Sequence, residues 1–290
     1  MGAVTREDRV VTEDATNADE PHEPSDTETM VELRKTFGRL DRWRTVIASR
    51  PEPRPDADLV NDDRVWPWAP PTSLCIASLG SAREHLHAIR LLIEAGELFP
   101  SVTSTLARSA LMSGSIAVWM LAPDDANERR RRMLTFALED YRNHLAFGAQ
   151  VSRTFHIDDI HQTADEQMGR MRQRSDEIRA VLAPLGGPTS WNLTDIIIPA
   201  AMQATVPEQR QRAQLESRWR VMSGAAHGFI WPHFGAAGTT ITDLGPEGIG
   251  LATITGSVET LAIDYFTAFH VASRGWALFA MRSGLPELAL

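Results

Sequence analysis

The chain has one cysteine, Cys75, and one lysine, Lys35, among its 290 residues. A single cysteine forms no internal disulfide and builds no thiolate zinc cage, which fits a reducing compartment. Cys75 is expected as a buried small hydrophobe. The one lysine falls in the first predicted helix, which disfavours mechanisms that need a lysine to grip phosphate or form a Schiff base. The sequence also lacks a Gly-rich phosphate loop, a dinucleotide fingerprint and a Gly-x-Ser-x-Gly elbow. Its longest uncharged apolar run, Ala110 to Ala122, is 13 residues. A membrane span needs roughly 20, so this run is expected as a core helix. The N-terminal stretch has no apolar signal core. A cytoplasmic protein without a membrane partner is the expectation.

Charge is unevenly spread. Residues 1–26 hold eight acids against Arg6 and Arg9, which is −6 of the net −9. The remainder is nearly neutral and lacks the basic excess of a duplex-DNA binder, so duplex DNA is not expected as a partner. The acidic segment carries no hydrophobic periodicity and is expected to be disordered.

Apolar spacing sets the fold class: an all-α bundle of seven or eight helices with a small β-hairpin before the last. Met30, Leu33, Phe37, Leu40, Trp43 and Ile47 predict one helix over 27–49, capped by Asp26 or Thr27. Residues 50–71 are proline-rich, with Trp66 and Trp68, and are expected as an extended linker stapled to the body by the tryptophans. The bundle domain then covers 72–290. Helices are expected over 72–95, 101–121, 126–153, 158–183, 193–204, 207–226 and 257–282. The fourth and fifth of the whole chain (126–153 and 158–183) should pair as an antiparallel hairpin. Small residues at Ser113, Gly114 and Ser115 make 101–121 a central helix. Thr239–Thr242 and Leu251–Thr255 flank Gly245-Pro246-Glu247-Gly248 and read as strands of a hairpin.

Several motifs invite chemistry. Glu84 and His87 have the spacing that places two metal ligands on one helical face, and Asp158 with His161 and Asp140 with His144 offer further acid–histidine pairs. No complete ligand set emerges, and no cofactor is expected. The run Arg129 to Arg132 would spread over all sides of a helix. It is expected as a solvated helix start, salt-bridged through Glu128, rather than a nucleic-acid stripe.

The stretch Ser217 to Gly228 is the most informative. Arg220 and His227 are seven positions apart, close to two helical turns, so both project from one face with Ser223 between them. A histidine titrating near neutrality can move the proton of a ribose 2′-hydroxyl, and an arginine can steady charge growing on phosphate oxygens. This chemistry needs neither metal nor lysine and is restricted to RNA by the 2′-hydroxyl.

Arg220 and His227 resemble the Arg-x(4–6)-His signature of the HEPN superfamily. The Arg-x-x-Ser-x-x-x-His run and the Arg108…Trp119-Met120-Leu121-Ala122-Pro123…Arg129 stretch resemble related helical proteins of bacterial families. The resemblance implies an all-α bundle, often dimeric, acting as a metal-independent ribonuclease, with His227 as general acid/base, Arg220 as phosphate stabiliser and Ser223 as auxiliary hydrogen bonder. Single-stranded RNA and a second copy of the chain are the implied partners. Active members usually carry a polar residue directly after the arginine; here it is Val221. A structural alternative has Arg220 bonding carbonyls at a helix end and His227 capping the same terminus. Two further alternatives are a non-catalytic scaffold that binds partners through its Trp-rich segments, and a metal-holding bundle built on Glu84, His87 and Asp140.

Overall fold

A computed structural model describes residues 25–154, 158–187, 189, 191–204, 209–242, 245 and 250–289. Residues 1–24 of the acidic segment, and Pro207 at the predicted start of a helix, lie outside the described residues.

The fold is all-α. From residue 71 onward it has seven α-helices among the described residues: α4 (Pro71–Ala95), α5 (Pro100–Leu121), α6 (Ala126–Thr154), α7 (Asp158–Leu182), α8 (Leu193–Met202), α9 (Gln209–Ala226) and α10 (Val258–Ser283). They are preceded by α1 (Asp26–Lys35), α2 (Phe37–Ser49) and α3 (Asp58–Asp63). The one two-stranded sheet among the described residues pairs β1 (Thr239–Thr242) with β2 (Leu251–Ile254) antiparallel, Thr239 facing Ile254 and Thr242 facing Leu251. No described helix is long and apolar enough to cross a membrane.

Helix α5 occupies the centre, in contact with α4, α8, α9 and α10. Its small residues permit this. A Cβ on Gly114 would lie 3.2 Å from the Ala272 backbone, so any larger residue would push α10 back by a few tenths of an ångström. Helix ends follow local chemistry. Gly96 adopts φ +76° to close α4, and Ser257 caps α10 by accepting from the Thr260 amide. Asp125 accepts from the Glu128 amide at 2.8 Å at the start of α6. Helices α6 and α7 run antiparallel: Leu134 and Leu138 share a cluster with Ile178 and Leu182, while Gly148 abuts Met168.

The N-terminal part departs from expectation in three places. The predicted single helix over 27–49 is two helices, broken at Thr36. The Thr36 hydroxyl bonds back to the Leu33 carbonyl at 2.7 Å and lies 2.5 Å from the Tyr265 hydroxyl of α10, a local bond that competes with the helix ladder. The cap is Ser25, in a capping box with Glu28, rather than Asp26 or Thr27. The segment 50–71 is no plain extended linker, because it contains α3, whose Leu59 and Asp62 are fully buried. Of its two tryptophans, Trp66 is buried, while Trp68 stands exposed under the Arg174 guanidinium, 3.3 Å from the ring centroid. Helix α2 is anchored by Trp43, which stacks on Phe269 and Trp276 of α10 at 5.6 and 5.8 Å.

The four-arginine run is salt-bridged, as its sequence suggests, but it is not a solvated helix start. Arg129 is 2% exposed and bonds Asp62 at 2.9 Å and the carbonyls of Pro123 and Asp124. Arg130 bonds the other oxygen of Asp62 at 2.8 Å. Arg131 and Arg132 share Glu128. Arg282 of α10 joins from the other side, bonding Asp58, Asp124 and the Leu121 and Pro123 carbonyls. The network satisfies the open carbonyls at the end of α5 and ties α3, α6 and α10 to it.

Candidate functional site

Helix α9 presents the predicted triad. Arg220 and His227 are both exposed, and Ser223 is half-buried. Among the described residues no hydrogen bond or ion pair engages the Arg220 or His227 side chain, and the two do not bond each other. The nearest acid along this face, Glu216, is taken by Arg212 at 2.9 Å. The structure therefore brings Arg220 and His227 to one open face without joining them.

His227 sits one residue beyond the helix. The Gly228 amide bonds the Ala225 carbonyl at 3.0 Å, the Phe229 amide bonds the Gly224 carbonyl at 3.0 Å, and Gly228 has φ +73°. This is a Schellman closure, in which the backbone satisfies its own terminal carbonyls. Neither the His227 ring nor the Arg220 guanidinium serves as a cap. The imidazole's one ring neighbour among the described residues is Phe229, 6.1 Å away.

Ser223 faces inward. Its Oγ accepts from Nε of Arg108 on α5 at 3.0 Å. The Arg108 guanidinium also lies 4.7 Å over the Trp219 ring. Arg108 has no carboxylate partner among the described residues, and burial holds its pKa below the usual arginine value. A half-buried cation of this kind is electrostatically unsatisfied and attracts an anion.

The helical step fixes how these groups are arranged. At 100° per residue, with Ser223 at zero, His227 falls at about 40° and Arg220 at about 60°. Trp219 falls at about −40°, Gly224 at about 100° and Val221 at about 160° on the same scale. Trp231 and Pro232 pack against Gly224, where any Cβ would lie 2.7 Å from each. The Arg220–His227 stripe is thus bordered by Arg108 and Trp219 on one side and by Trp231 on the other.

Val221 turns away, into a shallow apolar cleft formed with Leu98, Ala225, Pro232, Ile254 and Leu261. None of Arg220, Ser223 and His227 lines that cleft. At its rim Ser101 Oγ lies 3.2 Å from Nε2 of His233. The sequence drew attention to Arg108 only within a wider stretch, and nothing local marks it as a neighbour of Ser223, 115 positions away.

The other candidates disperse. Among the described residues no three His, Cys, Asp or Glu side chains gather as metal ligands, so Glu84, His87 and Asp140 do not converge. The side chains of Asp158 and His161 lie outside the described residues. His87 is desolvated beside Arg83 and Arg90, which lowers its pKa. Cys75 is fully buried, and that burial pushes its thiol pKa upward. Arg218, next to the site, pairs with buried Asp264, whose other oxygen accepts from Ser104 at 2.7 Å; this pair bolts α9 to α5 and α10.

No protein-family model, no curated protein and no solved structure matches this chain.

Proposed function

We propose that this chain is a HEPN-like, RNA-acting protein of the cytoplasm that cleaves single-stranded RNA without metal. One observation carries the reading: Arg108, Arg220 and His227 border a single stripe of α9, and none has a carboxylate partner among the described residues. The arginines gathered at the C-terminal end of α5 find acids. Cations left unpaired beside an unengaged imidazole suit a phosphodiester, which supplies the missing negative charge.

In this reading His227 takes the proton from the 2′-hydroxyl as that oxygen attacks phosphorus, and returns it to the departing 5′-oxygen. The products are a 2′,3′-cyclic phosphate and a 5′-hydroxyl, with no net proton gained or lost. Arg220 and Arg108 stabilise the charge growing on the non-bridging oxygens. Ser223 positions Arg108. The polar residue that usually follows the arginine in active HEPN proteins is replaced by Val221, which faces the apolar cleft. Arg108, arriving from α5, provides a polar group in its stead. The arginine-rich, lysine-poor composition fits a bacterial source.

The test is incubation of the purified chain with a single-stranded RNA in EDTA, beside His227→Ala. Cleavage is expected from the wild type, with loss of about 100-fold or more in the variant. Intact RNA with the wild type, or equal cutting by both, refutes the assignment.

A further inference from the structure

The groove between α2 and α4 holds a second set of cations that lack acids. Arg83, His87 and Arg90 share one face of α4. Helix α2 packs against α4 and sets Asp41 and Arg44 close enough for their charges to act on Arg83 and His87. The acids here go to one arginine: Arg90 bonds Asp41 and Glu94, each at 2.8 Å. Glu84 is exposed, about 100° round the helix from Arg83, and forms no ion pair among the described residues.

Arg83 is left over. It is 8% exposed, yet its one hydrogen bond among the described residues runs from Nε to the Leu40 carbonyl at 3.3 Å. Its Nη2 is shut off from solvent with no partner, and so is Nδ1 of His87. Nη1 of Arg83 and Nε2 of His87 also lack hydrogen bonds among the described residues, but they stay open to solvent. Arg44 is exposed and makes no ion pair among the described residues. Burial lowers the Arg83 pKa, and the charge of Arg44 acts on it more strongly than that of Asp41 or Glu84. A guanidinium carries five N–H donors, and here only the Nε–H is used. A buried donor without an acceptor is costly, more so when it is charged. An oxyanion at the mouth of the groove removes that cost.

We infer that the mouth of this groove binds a phosphate group, held by Arg44, Arg83 and His87. Three donors on three side chains suit a tetrahedral oxyanion, which offers each donor its own oxygen, whereas a carboxylate has only two. Arg83 supplies a rigid fork from α4, Arg44 a second cation from the facing helix, and His87 an N–H at Nε2. Two sources carry this chemistry: a free or terminal phosphate, and the diester of a nucleic-acid backbone. The inference stands apart from the reaction proposed at α9. Helix α5 packs against both α4 and α9, and that reaction uses none of Arg44, Arg83 and His87.

Heteronuclear NMR of the histidine rings in the full chain tests it. The His87 signal is identified by its loss in His87→Gln. Inorganic phosphate, titrated against sodium chloride of equal ionic strength, is expected to shift that signal with a midpoint of about 1 mM or below. Arg44→Ala changes an exposed residue. It is expected to raise the midpoint about 10-fold or more, with the helical circular dichroism unchanged. A deoxydinucleotide, whose phosphate is a diester, separates the sources. A His87 shift with inorganic phosphate alone assigns a free or terminal phosphate, and a shift with both probes assigns a nucleic-acid backbone. A His87 signal unmoved by either probe at about 50 mM, or a midpoint equal in the wild type and Arg44→Ala, overturns the inference. His227 gives its own signal, so phosphate contact at α9 is read separately, and failure at either place leaves the other standing.

Discussion

Two arginine clusters lean on helix α5, and they differ in one respect. At its C-terminal end, Arg129, Arg130 and Arg282 meet Asp58, Asp62 and Asp124, and their remaining donors reach backbone carbonyls. Eight residues into the same helix, Arg108 meets a serine and a tryptophan face, with Arg220 nearby on α9 and no carboxylate for either. The first cluster is electrically complete and holds the fold. The second is short of negative charge, which is why we propose it as the place for an anionic substrate. Residue type is the same in both; partner chemistry separates a girder from a binding surface.

The contrast breaks most visibly at Asp62. Asp62→Ala removes the buried carboxylate shared by Arg129 and Arg130 and leaves Arg129 only the longer 3.6 Å pairing with Asp58, and breaking a buried pair costs about 3–5 kcal/mol. Urea unfolding should show a loss of that order. A loss below about 1 kcal/mol would mean that the network does not clamp the fold.

Arg108→Met sharpens the contrast from the other side. Methionine keeps the contact with Trp219 and removes a cation without a carboxylate partner. Stability is expected to stay within about 1 kcal/mol of the wild type or rise slightly, while RNA cleavage falls about 10- to 100-fold. A large loss of stability with unchanged cleavage would place Arg108 among the structural arginines.

Glu128 gives a smaller, pH-dependent effect. Hydrogen bonds from Arg131, then Arg132, pull its carboxyl from 4.5 down to about 2. A carboxyl lowered in the folded state contributes stability that is present above 4.5 and lost as pH falls through about 2. Glu128→Gln should therefore lower Tm at pH 7, and the gap to the wild type should close between pH 4.5 and pH 2. A gap that is constant with pH would remove this carboxylate from the stabilising network. Smallest of all, Trp68→Ala removes the exposed ring beneath Arg174, at an expected cost of about 0.5–1 kcal/mol by thermal melt.

Sequence periodicity reveals what is local. The long helices declare themselves through apolar spacing, and two of their ends through Gly96 and Pro123, because a helix start or stop is decided within a few residues. The break at Thr36 stays hidden because it depends on a hydroxyl 229 positions away, on Tyr265. Helix α3 hides behind the prolines because what buries Asp62 comes from α6. The same division holds at the site. Arg220, Ser223 and His227 are legible because seven residues make two turns. Arg108 becomes a neighbour only when α5 and α9 pack. The four-arginine run misleads in the opposite way: a string of like charges suggests a solvated face, and tertiary acids draw it inward.

The central claim is that the charge-deficient face of α9 breaks RNA through its own 2′-hydroxyl. The most direct measurement is mass spectrometry of the fragment ends produced from a defined single-stranded RNA in EDTA. The account predicts 2′,3′-cyclic phosphate and 5′-hydroxyl termini, and no fragment at a position carrying a 2′-deoxyribose. Fragments ending in 3′-hydroxyl and 5′-phosphate, or scission at the deoxy position, would contradict it.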